Sequence, residues 1–222
     1  AIHPDGTIYG VTVFSSPSGP GNLYTIDTLS KTLQLVVDDN SLEQSMKFDA
    51  TGILYTVEDE LKTYNPITGQ VVNKGSLPPG LEVFGAAGFV NNKFIGISPV
   101  NEVIEIDTEN PENSFVLFQI PNPSPDTFIL IISMTTFAVN CDSSITYVSG
   151  SYFIPDPLNP LGFSNIPILW ELDFANQNLN IVCSGIGDGA AGASPLEFIA
   201  SDCELTLDFD LDNSGGLLPY DF

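Results

Sequence analysis

The chain has 222 residues, and its 28 acidic residues against five lysines give it a formal charge of −23. A field of this sign repels phosphate backbones and anionic lipid, so nucleic acid and membrane surfaces are poor partners. Hydrophobic residues make up 43% of the chain, which excludes disorder and leaves enough apolar material for one sizeable all-β domain. The excess of carboxylates favours a well-solvated surface or, alternatively, cation binding.

A two-part phrase recurs four times along the chain. Its first half lies at residues 3–12, 48–57, 89–98 and 141–150, and its second half at 23–36, 61–72, 103–118 and 169–182. Each half is a pair of short apolar strands joined by a polar turn. A four-strand repeat of roughly 40–50 residues is typical of a propeller blade. The sequence therefore predicts an all-β, β-propeller-like array of four-stranded antiparallel blades, with four visible and a fifth beginning at residues 195–210.

The turns predict which face of the propeller carries binding residues. With A as the innermost strand of each blade, the A–B turns are Asp5-Gly6, Thr51-Gly52 and Asn91-Asn92, and a short C–D turn spans Asn65–Gly69. Because strands alternate in direction, these turns share one face, and the B–C and D–A loops share the other. The long loops of that second face are 14–22, 76–82, 121–127, 149–167 and 185–194. Binding residues tend to lie on such loops, so this face is the predicted binding face.

The longest of these loops, residues 149–167, is the predicted ligand-binding element. It contains four prolines and the aromatic residues Tyr152, Phe153 and Phe163. Prolines lower the entropy cost of holding one loop shape, and exposed aromatic rings can stack on sugars or partner side chains. The alternative is that these rings fold back over the blade. Trp170 lies in a C strand and is predicted to be a core residue.

An acidic phrase at the C-terminus is a candidate calcium site. Counted from Asp210, oxygen-bearing side chains fall at positions 1, 3, 5 and 12 (Asp210, Asp212, Ser214 and Asp221), with Gly215 at position 6. This spacing matches an EF-hand loop. A strand precedes it, however, so the alternative is an acidic connector between modules. We accordingly divide the chain into a propeller-like domain, 1–203, and a connector or first strand of a following module, 204–222.

Three cysteines cannot all pair within the chain. Cys141 and Cys203 occupy similar repeat positions at the inner end of an A strand, and neighbouring A strands lie close to the propeller axis, so a disulfide is expected between these two if any forms. Cys183 ends a D strand, far from both. A catalytic cysteine is not expected, because the single histidine, His3, lies beside a turn.

The chain shows no targeting or membrane segment. Its most apolar run, Phe128 to Met134, is far shorter than the ~20 residues that span a bilayer, and it fits one buried inner strand. Because the chain begins within a repeat, we expect it to be a mature or excised piece of a longer protein.

The ordered phrases resemble a known family of large secreted surface proteins of Bacteroidetes, of gliding-motility or adhesin type. The phrases that carry the resemblance are DGTIYG (5–10), LYTIDTLSK (23–31), FVNNKF (89–94), IDTENPENS (106–114), GAAGASPLEFIASDC (189–203) and LDFDLDNSGGLLPYDF (207–222). Together they span essentially the whole chain.

This resemblance implies a propeller-like domain that precedes cadherin-like or immunoglobulin-like modules in a long protein exported by the type IX route. Such proteins are adhesins or surface filaments, so the implied location is extracellular and the implied partners include the neighbouring modules. Bacteroidetes glycosylate Asp-Thr followed by an apolar residue, which makes Thr28 a candidate site. The terminal acidic phrase is shorter than in the family, and this difference argues against a simple transfer of calcium binding.

Three functions from different classes remain open. The first is a non-enzymatic surface module that binds a surface polysaccharide or a protein through the long-loop face. The second is an architectural spacer, whose long loops contact neighbouring modules. The third is a propeller-type lyase or lactonase, which is disfavoured because such sites gather histidines, arginines or carboxylates at the axis, and this chain has one histidine and no arginine.

Overall fold

The protein is an all-β propeller built from four small antiparallel sheets. A computed structural model describes residues 1–12, 21–38, 42, 45–84, 86–122, 124, 127–140, 143–158 and 163–184. Each sheet is one blade, and the strands of each blade follow one another in chain order. The predicted fold class and the order of the repeats are confirmed.

The strands fall into four groups along the chain. Blade 1 contains β1 (Ile8–Val11), β2 (Leu23–Asp27) and β3 (Thr32–Val37). Blade 2 contains β4 (Ser45–Phe48), β5 (Leu54–Val57), β6 (Glu60–Asn65) and β7 (Gln70–Ser76). Blade 3 contains β8 (Ala86–Val90), β9 (Lys93–Ile97), β10 (Glu102–Ile106), a 3-10 turn (Pro111–Asn113) and β11 (Phe115–Gln119). Blade 4 contains β12 (Phe128–Asn140), β13 (Ser143–Pro155), β14 (Phe163–Asp173) and β15 (Asn178–Ser184).

Local chemistry explains why the predicted A–B turns are so short. Gly6 and Gly52 have φ of 91° and 85°, and Asn91 and Asn92 have φ of 50° and 63°. Positive φ angles match the twist of a two-residue hairpin, and Gly and Asn adopt them at the lowest cost. The A–B turn positions read from the sequence are therefore confirmed for blades 1 to 3.

The C–D turn is the same hydrogen-bonded unit in every blade. A side-chain oxygen at the end of strand C accepts hydrogen bonds from the backbone N–H groups two and three residues further on, at 2.9–3.2 Å. The four accepting residues are Asp27, Asn65, Asp107 and Asp173. Short Asp and Asn side chains form such turns readily, which gives the repeated acidic position of the sequence a structural role.

The hydrophobic core consists of three clusters, one at each contact between consecutive blades. Blades 1 and 2 meet around Tyr9, Leu23, Phe48, Leu54 and Tyr64. Blades 2 and 3 meet around Val57, Leu61, Val83, Phe94 and Ile104. Blades 3 and 4 meet around Ile95, Phe118, Ile129, Val148 and Trp170. Trp170 is fully buried, as the sequence predicted.

Blade 1 differs from the four-stranded prediction. Its sheet has three strands in the described part of the chain, and β1 takes the place that strand B has in the other blades. Ile2 forms an antiparallel bridge with Ile8, and the backbone N–H of Tyr9 donates to the carbonyl of Ala1 at 2.8 Å. The first residues therefore begin an inner strand that is too short to count as one.

The prediction of a long loop over residues 149–167 is wrong. β13 continues to Pro155, β14 begins at Phe163, and the two strands pair from Tyr147↔Glu171 to Pro155↔Phe163. Pro167 pairs with Ser151 of β13, and within the described residues β15 pairs with Ile168–Asp173. Among these residues Pro167 therefore lies where β14 is an edge strand, the position in a sheet at which proline is best tolerated. Pro155 and Pro167, with Ser149, Ser151 and Ser164, thus belong to a strand extension and not to a loop.

Candidate functional site

Blade 4 extends beyond the other blades on the long-loop side of the propeller. Its strands β12 and β13 have 13 residues each and β14 has 11, whereas the strands of blades 1 to 3 have four to seven. β14 begins five residues before Ile168, the position at which β15 ends. Among the described residues, β12, β13 and β14 therefore continue past the last residue of β15, and they form a hydrogen-bonded support at the predicted binding face.

Apolar side chains are exposed at the end of this extension. Phe128 is 48% exposed, and its ring lies 5.9 Å from the ring of its cross-strand partner Phe153. Ile154 points to the opposite side of β13 and is 38% exposed, while Leu158, just after the strand, is 95% exposed. We call these four residues the blade 4 tip. Exposed apolar groups that are grouped in this way mark interaction sites more often than single exposed residues do.

The turn that follows β13 is held by Asp156. Its carboxylate accepts a hydrogen bond from the Leu158 N–H at 3.0 Å and one from the Ser164 hydroxyl at 2.5 Å. These bonds tie the beginning of the turn to β14. The tip is therefore ordered before any partner arrives, which lowers the entropy cost of binding.

The structure separates Tyr152 from Phe153, two of the three aromatic residues that the sequence predicted to bind a ligand. Tyr152 is half-buried, with its ring 5.3 Å from Trp170 in an edge-on arrangement, and the Trp170 Nε1–H donates to its hydroxyl at 3.4 Å. Phe153 lies on the other face of β13, against Phe128. Phe163 begins β14, but its side chain lies outside the described residues. A ligand-binding role for these residues stays a prediction.

Sequence reasoning missed Phe128, Ile154 and Leu158. Phe128 belongs to an apolar run that was assigned to a buried strand, and the other two lie in a segment that was assigned to a loop. The aromatic and β-branched run Tyr152–Ile154 could have identified the strand, because such residues are enriched in strands. Only the register of β12 with β13 brings Phe128 and Phe153 together.

Thr28, the candidate glycosylation residue, is exposed in the turn between β2 and β3. The preceding Asp27 accepts hydrogen bonds from the Ser30 hydroxyl at 2.6 Å and from two backbone N–H groups, and these bonds lower the pKa of its carboxyl. Glycosylation of Thr28 stays a prediction.

Several predicted residues lie outside the described part of the chain. They are the calcium candidates Asp210, Asp212, Ser214 and Asp221 and the disulfide candidates Cys141 and Cys203. Among the residues that the structure does describe, no group of three or more His, Cys, Asp or Glu side chains could hold a metal ion. The described part of the chain also contains no helix with the length and hydropathy needed to cross a membrane.

The propeller axis contains a buried lysine. Lys47 on β4 is 5% exposed, and its Nζ donates to the Met134 carbonyl of β12 at 3.5 Å. It passes Gly88 of β8, where an added Cβ would lie 3.8 Å from the Lys47 side chain and 3.4 Å from that of Met134. Burial lowers the pKa of Lys47 to about 7. This side chain links blades 2 and 4 across the axis.

His3, the single histidine, is a packing residue. Its ring lies 5.0 Å from that of Phe48 in an edge-on arrangement, and it also contacts Tyr9. Its Nδ1 lies 2.8 Å from the Asp5 carboxylate. The contacts with Phe48 and Tyr9 place His3 at the junction of blades 1 and 2. Lys47, by contrast, bridges the inner strands β4 and β12.

No protein-family model matches the chain, and a comparison with curated proteins likewise returns no match. Among solved structures, the chain is similar to a structural genomics protein of unknown function from Bacteroides thetaiotaomicron. The two are 14% identical, the alignment covers 80% of this chain and 44% of that one, and the TM-score is 0.46. This chain therefore spans less than half of the length of that protein, and the likeness carries no argument about function.

Proposed function

We propose that this protein is a non-enzymatic module, secreted or held at the cell surface, that binds a protein partner through the blade 4 tip. The observation that carries the proposal is the exposed ring of Phe128, packed against the half-buried ring of Phe153, on a strand extension that the other blades lack. An architectural spacer would use such exposed apolar groups only to pack against a neighbouring module.

The chemistry of the tip favours a protein over a polysaccharide as the partner. Phe128, Ile154 and Leu158 present aromatic and aliphatic surface without hydroxyl or amide groups of their own. Aromatic anchors surrounded by polar residues are typical of the centre of protein–protein interfaces. A saccharide requires several hydrogen-bonding groups beside the aromatic ring, and these four side chains offer none.

Charge and sequence resemblance support the proposed location. A formal charge of −23 keeps a protein soluble outside the cell and steers it away from anionic surfaces. The repeat phrases resemble those of exported Bacteroidetes surface proteins of adhesin type. The partner is accordingly expected to be neutral or basic where it meets the propeller.

The test is binding of the folded chain to a panel of purified surface proteins and glycans, first with calcium and then with chelator. Phe128→Ser combined with Phe153→Ser removes the aromatic pair, and we expect it to weaken binding to a protein ligand at least tenfold. Leu29→Ser is the matched control, because Leu29 is 95% exposed, as Leu158 is, but lies in a turn of the opposite face.

Each outcome separates the candidate functions. Equal binding by the double variant and the wild type would exclude the tip as the binding site. A blank panel from folded protein would favour the spacer, whose apolar tip would then pack against a neighbouring module. Loss of binding with chelator alone would assign the interaction to the acidic phrase at residues 207–222.

A further inference from the structure

Blade 3 contains a cavity of about 240 Å³ at the end opposite to the long loops. Its lining includes Asn92 and Lys93 after β8, Glu105 and Asp107 at the end of β10, and Asn113 and Phe115 before and in β11. None of these residues belongs to the blade 4 tip. At roughly 30 Å³ for each water in the liquid, the cavity corresponds to about eight waters, which suits one small ring and not a long chain.

The polar groups of the cavity are held in place before a ligand binds. The Lys93 Nζ lies 2.8 Å from Glu105 Oε2, and the Glu105 side chain is 20% exposed. Asp107 Oδ1 accepts hydrogen bonds from the N–H groups of Glu109 and Asn110, both at 2.9 Å. The backbone N–H of Asp107 donates to the Ser114 hydroxyl at 3.1 Å. The carboxylates therefore stay in fixed positions at the wall.

An aromatic ring stands at the edge of the same cavity. Phe115 pairs with Glu105 across β10 and β11, and it is 51% exposed. Cross-strand partners point to the same face of a sheet, so the ring and the carboxylate lie side by side. An exposed phenyl face beside carboxylate, ammonium and amide groups combines a stacking surface with hydrogen-bond donors and acceptors.

We propose that this cavity binds a single neutral sugar ring. Glu105 and Asp107 accept hydrogen bonds from hydroxyls, Lys93 and the amides of Asn92 and Asn113 donate to ring and hydroxyl oxygens, and Phe115 covers the apolar face of the ring. Two carboxylates against one ammonium give the wall a net negative charge, which disfavours uronic acids and phosphorylated sugars. This site is separate from the protein-binding tip and does not depend on it.

Ligand-observed NMR on the full chain tests the site. The probes are methyl glycosides of glucose, galactose, mannose and N-acetylglucosamine, with glucuronic acid as the anionic probe and methylammonium as the cationic one. We expect saturable binding of at least one neutral glycoside and at least tenfold weaker binding of glucuronic acid. Phe115→Ala and Glu105→Gln should each lower the affinity for the neutral glycoside at least fivefold. Phe128→Ala is the control, because Phe128 is similarly exposed but lies on the opposite face, and it should leave the affinity for the glycoside unchanged.

Three results would overturn the proposal. They are the absence of saturable binding by every neutral glycoside, equal binding by wild type and the Phe115→Ala variant, and tighter binding of methylammonium than of any sugar. Far-ultraviolet circular dichroism of each variant checks that it has folded. Because the Phe128→Ser and Phe153→Ser double variant should still bind the glycoside, failure of the sugar site and failure of the protein-binding tip can be told apart.

Discussion

Blades 3 and 4 have the same strand order but differ in the length of their strands. Both have four strands in the same order, and both close strands C and D with a turn around an aspartate, Asp107 or Asp173. In blade 3 the strands have five residues and end where the core ends, whereas blade 4 continues for up to 13. The buried ends of the strands hold the propeller together, whereas the extended ends of blade 4 leave apolar side chains such as Phe128 and Ile154 exposed.

Blades 3 and 4 each contain a glycine that has no room for a side chain, but the atoms that fill the space differ. In blade 4, a Cβ at Gly150 would collide with the backbone carbonyl of Leu130 and lie 2.9 Å from the Ile131 Cα. In blade 3, a Cβ at Gly96 would meet the side chain of Val83, with its Cγ2 at 2.5 Å. The backbone of Leu130 and Ile131 cannot move away without breaking the β12–β13 hydrogen bonds, whereas the Val83 side chain can change its rotamer.

The largest expected effect is therefore that of Gly150→Ala. We expect it to lower the free energy of unfolding by more than about 3 kcal/mol, whereas Gly96→Ala should cost about 1–3 kcal/mol, the usual range for overpacking. Urea denaturation of both variants measures the difference. The β12–β13 pairing is irregular between Ile131 and Ser133, next to the Gly150 pair. Equal losses of unfolding free energy would show that the backbone at this irregularity can move to make room for the added methyl group.

Trp170→Ala should have the next largest effect, because Trp170 is fully buried between blades 3 and 4. Truncation of such a side chain costs about 3–5 kcal/mol of unfolding free energy. Phe115→Ala is the control in blade 3, since its ring is half exposed and its loss should cost less than about 1 kcal/mol. A loss as small for Trp170→Ala as for Phe115→Ala would contradict the assigned core.

Lys47→Met should stabilise the protein, because it removes a buried amine from the axis that joins blades 2 and 4. Burial lowers the pKa of Lys47 from 10.5 to about 7, so between these values the unfolded chain binds more protons than the folded one. Stability then rises with pH across that window and falls as pH drops toward 7. We expect Lys47→Met to be more stable at pH 7 by a few kcal/mol, at 1.36 kcal/mol per pKa unit.

The pH window for this measurement is set by the neighbouring groups. The pKa of the Ala1 amino group is lowered from 8.0 to about 5, and the pKa values of Tyr9, Tyr55 and Tyr64 are raised above 10.0. Denaturation between about pH 8.5 and 9.5, above the ordinary pKa of the amino group and below that of tyrosine, therefore reports mainly on Lys47. A wild-type stability that does not rise over this range would contradict its burial.

Tyr152→Phe should have the smallest effect. It removes the hydroxyl that accepts from the Trp170 Nε1–H and keeps the ring contact, so the expected loss is about 1 kcal/mol of unfolding free energy. Binding at the blade 4 tip should be unchanged, because Tyr152 faces blade 3 and Phe153 faces outward. A variant of normal stability but weakened binding would place Tyr152 in the binding surface.

The sequence predicted those parts of the fold that depend on local chemistry. Gly52 and the Asn91-Asn92 pair mark A–B turns because few residues adopt positive φ, and the segment Asn65–Gly69 marks a C–D turn because the Asn65 side-chain oxygen accepts from the next backbone N–H groups. Trp170 was identified as core because a large apolar ring in a strand is seldom left in water.

The blade 4 tip and the blade 3 cavity could not be predicted from local sequence, because they depend on which strands pair and in what register. Phe128 and Phe153 are 25 residues apart in the chain, and their contact depends on the register of β12 with β13. Proline has low strand propensity, so the extension of β13 and β14, which contains Pro155 and Pro167, was assigned to a loop. Lys93, Glu105 and Phe115 likewise meet only because three strands pair.

The most direct test of the account is amide hydrogen exchange of the full chain, alone and with a protein ligand from the binding panel. If the ligand covers the blade 4 tip, amide exchange should slow at residues 128–130 and 152–158, and the exchange rates at the Gly52 and Asn91-Asn92 turns should stay unchanged. Slower exchange at those turns, with none in the extension of blade 4, would contradict the proposed binding surface.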